Sequence, residues 1–297
     1  MENNMKDKFK CNYEQEKSNE VELVASNLEE ILKSSTYKLA HEDIDLLNTD
    51  EMRGVRMLLE ITKPEQVIKK ENIISTVIVF GGVHISEEIT SKRRLDEAEK
   101  LLSSNPKSKS SKINIDRLRN LHSLSHYYSS ARELSKLISL DSKTKSPYSH
   151  VIVTGGGPGI MEAANRGAFD AGCKSIGLNI SLPNEQHPNS FITPGLCFKF
   201  NYFAMRKFHF VMRSTAAVFF PGGFGTLDEL FELLTLRQTG MKKNIPIILF
   251  GRSYWEKVIN FQFLSDMGLI GENDLSIFKY ANTANEAWNL IKSFSKS

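Results

Sequence analysis

Pro221-Gly222-Gly223-Phe224-Gly225-Thr226-Leu227-Asp228-Glu229 follows an apolar run, Thr215-Ala216-Ala217-Val218-Phe219-Phe220, and opens a helical pattern. A buried strand therefore ends in a glycine turn. The free N–H groups of that turn face whatever sits above the next helix, an arrangement that favours an anion such as phosphate. Two readings of Glu229 stand side by side. Thr226-x-x-Glu229 fits a capping box, in which Thr226 caps the helix and Glu229 reaches back to its N–H. The other reading gives Glu229 a part in chemistry. The motif alone does not choose between them.

The same strand-to-helix grammar repeats along the chain. Thr76-Val77-Ile78-Val79-Phe80 stops at Gly81-Gly82, and Val151-Ile152-Val153 stops at Gly155-Gly156-Gly157. Further apolar runs cover 175–180, 217–220 and 245–250, with a weaker one near 276–280. Helical patterns lie between them, near 125–140, 159–172, 201–214, 226–239, 253–266 and 284–294. Strands apolar throughout and alternating with helices predict an α/β, doubly wound parallel sheet covered on both faces. Ligands of such sheets bind beyond the carboxyl ends of the strands, so three glycine turns can converge on one crevice.

Ahead of this body, apolar residues recur at helical spacing from Val21 to Leu32. A second helix is predicted over Asp50 to Glu60, ending near Pro64. The expected organisation is a disordered tail over 1–20, a helical extension over 21–72 and a nucleotide-binding domain over 73–297. Ser103 to Lys112 reads as a flexible polar insertion.

Bulk properties narrow the function classes. The 297 residues are 40% apolar and 25% charged, and a net charge of +3 is too small to argue for nucleic acid or a membrane surface. Cys11, Cys173 and Cys197 are isolated, so neither a disulfide framework nor a zinc site is indicated. The N-terminus has no apolar leader, and no run approaches the roughly 18 apolar residues of a membrane span. A cytoplasmic protein is expected.

Thr154-Gly155-Gly156-Gly157-Pro158-Gly159-Ile160-Met161-Glu162 does not have dinucleotide-fingerprint spacing, and neither turn continues into a Gly-Lys-Ser/Thr P-loop. A close approach to a nucleotide and a tight turn without ligand both fit it. Arg206 and Arg213 share a helical face just upstream of the third turn, where an arginine can supply bidentate hydrogen bonds to phosphate. His122 and His126 stand four apart without a third ligand, so no metal site is expected.

Taken in order, Gly155 to Asn165, then Arg206-Lys207, then Pro221 to Glu229 resemble the LOG ("Lonely guy") family over about residues 74–294. These are cytokinin riboside 5′-monophosphate phosphoribohydrolases and bacterial nucleotide nucleosidases, long labelled lysine decarboxylases. Leu182-Pro183-Asn184-Glu185-Gln186 and Phe231 to Thr239 resemble the longer bacterial members. The resemblance implies a Rossmann-like fold, a homodimer or larger assembly, and hydrolysis of a nucleoside 5′-monophosphate to free base and ribose 5-phosphate. AMP or an N6-substituted AMP is the implied substrate. The family's essential arginine and glutamate fall on Arg206 and Glu229. Substrate-binding positions fall on Gly155, Gly156, Gly157, Gly159, Met161, Glu162, Lys207, Gly222, Gly223, Gly225 and Thr226. Neither a metal nor another cofactor is implied. Phe203-Ala204-Met205 precedes Arg206 where plant members carry Met-His-x, and Phe80-Gly81-Gly82-Val83-His84 lacks the serine common at that turn. A nucleotide-binding regulatory protein without turnover is the alternative.

Overall fold

Every residue of Thr76–Phe80 (β1) is buried, and strand alternation divides its side chains between two cores. Val77 and Val79 join Leu134, Ile138 and Ala163 on one face, while Ile78 and Phe80 join Phe210, Leu230 and Trp255 on the other. A strand packed on both faces must be apolar throughout. Burying each such side chain contributes about 1.5–3 kcal/mol.

The computed structural model describes residues 20–104, 109–143, 148–183, 187–242 and 244–294. Around β1 lie Val151–Thr154 (β2), Ser175–Ile180 (β3), Cys197–Phe200 (β4), Ser214–Phe219 (β5), Ile247–Phe250 (β6) and Phe278–Ala281 (β7). All pairings are parallel, in the order β4-β3-β2-β1-β5-β6-β7. The chain winds outward from β1 through β4, then returns to the other side of β1 with β5. The carboxyl ends of β2, β1 and β5 thus flank a topological switch point, where doubly wound sheets bind ligands. The fold is Rossmann-like α/β.

The helices are residues 20–33 (α1), Ile44–Leu47 (α2), Arg53–Lys70 (α3), Glu88–Ser104 (α4), Lys109–Ser123 (α5), His126–Lys143 (α6) and Ile160–Asp170 (α7). Phe203–Met212 (α8), Phe224–Gln238 (α9), Arg252–Val258 (α10), Phe261–Asp266 (α11) and Ala284–Phe294 (α12) complete them. Buried residues of α6, α7 and α12 form one core with the sheet; those of α8, α9, α10 and α11 form the other. Gly167 lets α7 close on α6, because a Cβ there would overlap the carbonyl oxygen of Arg132. No helix among the described residues is long and apolar enough to cross a membrane.

The structure departs from the sequence expectations at four places. Cys197–Phe200 is an edge strand that alternates exposed and buried residues, so it has no continuous apolar run to reveal it. Ser103, Ser104 and residues 109–112 of the expected insertion are helical, and 105–108 lie outside the described residues. They belong to a pair of helices, α4 and α5, closed over a small core of Leu95, Ala98 and Ile115. Pro64 does not end its helix. Proline lacks the N–H that would bond to the carbonyl of Glu60, and that carbonyl accepts instead from His209 Nε2 at 2.9 Å. Finally, the chain divides into one unit ending at Leu59 and another beginning at Glu60, not at residue 73. Residues from Glu60 onward hold to the sheet domain because Ile68 is in its core and Glu65 pairs with Arg213. The tail expected over 1–20 lies outside the described residues except for Glu20, which is already helical.

Candidate active site

The turns after β1, β2 and β5 meet on one cavity of about 550 Å³, within the range of small-molecule sites. Gly81, Gly82, Gly155, Gly157, Gly222 and Gly223 all line it, as do Arg206 and Glu229. The expected convergence of three glycine turns is therefore present.

At the third turn the capping reading fails. The helix begins at Phe224, with extended Gly223 as its N-cap and no side-chain cap. Thr226 is already in the first turn, its N–H bonded to the carbonyl of Gly223 at 3.0 Å. Glu229 lies too far along the helix to reach back. Gly222 is required by contact, since a Cβ there would overlap the Thr226 side chain. Tyr254 pins the turn: its hydroxyl donates to the Gly222 carbonyl at 2.6 Å and accepts the Gly222 N–H at 3.3 Å. Gly222, Gly223, Gly225 and Thr226 therefore present the N-terminus of α9 to the cavity, which favours an anion.

The second turn divides its residues between ligand space and framework. Gly155 and Gly157 line the cavity with Met161. A Cβ on Gly155 would lie 2.5 Å from Arg206 Nη2 and 2.7 Å from Met161 Sδ, so glycine is what lets the guanidinium cross the turn. Gly156, Gly159 and Glu162 do not line the cavity. The Gly156 N–H is taken by Thr154 Oγ1 at 3.0 Å, and Thr154 in turn donates to buried Asn165 at 2.7 Å. Gly159 has φ +73 and abuts the backbone of Gly82 and Val83. Glu162 accepts the Tyr128 hydroxyl at 2.7 Å, and burial pushes the pKa of that phenol up to about 12.

Arg206 projects from α8 into the cavity. Its Nε donates to the Leu178 carbonyl at 2.8 Å and its guanidinium lies 5.4 Å from the centre of the Phe210 ring. Among the described residues no carboxylate stands within ion-pair distance of it, and the side chain lines the cavity. Burial holds its pKa below the usual value, against the pull of Glu229. The start of α8 is itself anchored: Glu60 accepts the N–H of Asn201 at 2.7 Å and of Tyr202 at 3.3 Å. Lys207 points elsewhere and does not line the cavity.

Glu229 is 8% exposed. Burial raises its pKa to about 7; Lys207 and Arg206 oppose that rise, while Glu232 and Asp228 add to it. The folded value lies above the ordinary glutamate value of 4.5. Between the two the folded chain holds a proton that the unfolded chain has lost, so this group makes stability fall as pH rises from about 4.5 to about 7 and stay level above. The difference is on the order of 3 kcal/mol. Denaturant titrations from pH 4 to 8 on wild type and Glu229→Gln should show the variant gaining relative stability across that window. Parallel curves would disprove it.

Sequence reasoning missed several lining residues. Leu121 and Leu124 come from the end of α5 and the turn after it, His84 from the β1 turn, Asn179 from β3 and Tyr254 from α10. Only Tyr254 left a signal, as an aromatic residue just past a strand's carboxyl end. Asn184, Glu185 and Gln186 lie outside the described residues, though Leu182 of the same motif lines the cavity.

A family model described as "Possible lysine decarboxylase" matches residues 161–291. Cytokinin riboside 5′-monophosphate phosphoribohydrolase LOG4 of Arabidopsis thaliana is 27% identical over 148 residues, covering 49% of this chain and 67% of its own length. The probable phosphoribohydrolase LOGL3 of Oryza sativa subsp. japonica is 26% identical over 147 residues, covering 48% and 68%. Over the matched stretch the chain is similar to these LOG-family phosphoribohydrolases. A solved molybdenum cofactor binding protein from Rippkaea orientalis is 25% identical over 57% of this chain and 88% of its own, with a TM-score of 0.39. The matched stretch carries Arg206, Glu229 and the turn before α9. Among the described residues no lysine lines the cavity.

Proposed function

We propose that this chain hydrolyses the N-glycosidic bond of a nucleoside 5′-monophosphate, AMP or an N6-substituted AMP, to free base and ribose 5-phosphate. One observation carries the reading: an arginine with no carboxylate partner among the described residues and a buried glutamate share a cavity with the glycine-bounded N-terminus of α9. The 5′-phosphate sits at Gly222, Gly223, Gly225 and Thr226, with Arg206 reaching phosphate or ribose from across the cavity. As the bond to the base breaks, its electron pair leaves with the base and the ribose becomes oxocarbenium-like. The Glu229 carboxylate stabilises that cation and orients the water that adds to C1′, whose proton it can accept. Phosphate binding far from C1′ then serves the reaction by fixing the sugar over Glu229. A homodimer or larger assembly and a cytoplasmic setting belong to the same proposal.

The test is a product assay across the common nucleoside monophosphates and isopentenyl-AMP, with base and ribose 5-phosphate quantified together. Equimolar release from an adenine nucleotide supports the proposal. If no base appears from any of them while the nucleotide binds tightly, the chain is a binding protein.

A further inference from the structure

Lys207 follows Arg206 in α8 but spans to α9. Its ammonium lies 2.7 Å from Asp228 Oδ2 and 3.1 Å from Glu232 Oε2, the second an ion pair outside hydrogen-bond alignment. Those carboxylates stand one helical turn apart and bracket Glu229, one residue before it and three after. Burial opposes the charge on Lys207, whose side chain is 19% exposed, yet Asp228 and Glu232 outweigh burial and raise its pKa.

We propose that Lys207 is a positioning residue: it clamps α8 to α9 so that Arg206 and Glu229 keep one register, and by neutralising Asp228 and Glu232 it favours the ionised form of Glu229. Among the described residues four charged groups act on Glu229, namely Arg206 and Lys207 from α8 and Asp228 and Glu232 from its own helix. Among the described residues His84 on the β1 turn and Tyr254 on α10 are the other titratable side chains lining the cavity. Of the two cations, Lys207 opposes the rise in the Glu229 pKa more than Arg206 does. Without Lys207, Glu229 would keep Arg206 but face two uncompensated carboxylates. The kinetic part of this inference rests on the proposed hydrolysis; the electrostatic part does not.

Lys207→Met keeps the aliphatic stem and removes the charge. In a carbon-13 NMR titration, with the Glu229 carboxyl assigned by comparison with Glu229→Gln, the midpoint should rise by about one unit. Lys207→Arg should restore it. Asp228→Asn/Glu232→Gln should move the midpoint down, and this variant carries the test if Lys207→Met does not fold. In turnover, the acid limb of the kcat/KM profile should move up with the midpoint. At pH 7, kcat should fall at least about fivefold, with KM nearly unchanged. An unmoved midpoint overturns the inference, as does a rise in KM that exceeds the fall in kcat, which would mark Lys207 as a phosphate ligand. A wild type that releases no base would remove the proposed function, while the NMR midpoints would still decide the role of Lys207.

Discussion

Glu229→Gln should release base about 10³-fold more slowly than wild type, with KM for the nucleotide little changed. Glutamine has nearly the same shape and occupies the buried position without the cost of a desolvated charge, so the cavity survives. On the proposed mechanism, what disappears is negative charge beside C1′, where positive charge develops only in the transition state. An interaction made only there lowers kcat and leaves ground-state binding alone. Base release by this variant within tenfold of wild type would remove Glu229 from the chemistry. Comparing its circular dichroism with that of wild type separates lost charge from lost fold.

Arg206→Ala should cost about 10²-fold in kcat/KM, with much of the loss in KM and weaker inhibition by ribose 5-phosphate. The guanidinium has an unusual setting. One nitrogen is held by the Leu178 carbonyl, the Phe210 ring lies beside it, and the bare backbone of Gly155 lets its far end pass. Lysine cannot reproduce that geometry, because a single ammonium cannot both meet the carbonyl and present a fork to an anion. Arg206→Lys should therefore recover little. Unchanged KM and unchanged product inhibition in Arg206→Ala would mean that the arginine does not touch the phosphorylated sugar.

How much of this was legible beforehand depends on how local the cause is. Runs such as Thr76–Phe80 and Val151–Thr154 declare themselves because both faces are buried. Cys197–Phe200 did not, because an edge strand buries only alternate residues. The α4–α5 pair was hidden for a related reason: its small core needs few apolar residues, and its polar surface reads as a loop. Pro64 reads as a stop in the sequence because the partner that takes over the freed carbonyl, His209, is distant along the chain.

The candidate site follows the same division. Local sequence determined the strand–glycine–helix units and with them the turns that meet at the cavity, because apolar periodicity and the small size of glycine act over a few residues. Only the tertiary structure removed the capping reading of Glu229, kept Lys207 off the cavity lining and paired with Asp228 and Glu232, and left Gly156, Gly159 and Glu162 off that lining. Those outcomes depend on burial and on pairing between groups brought together by the fold. Such energies belong to neighbours in space, and no spacing along the chain encodes them.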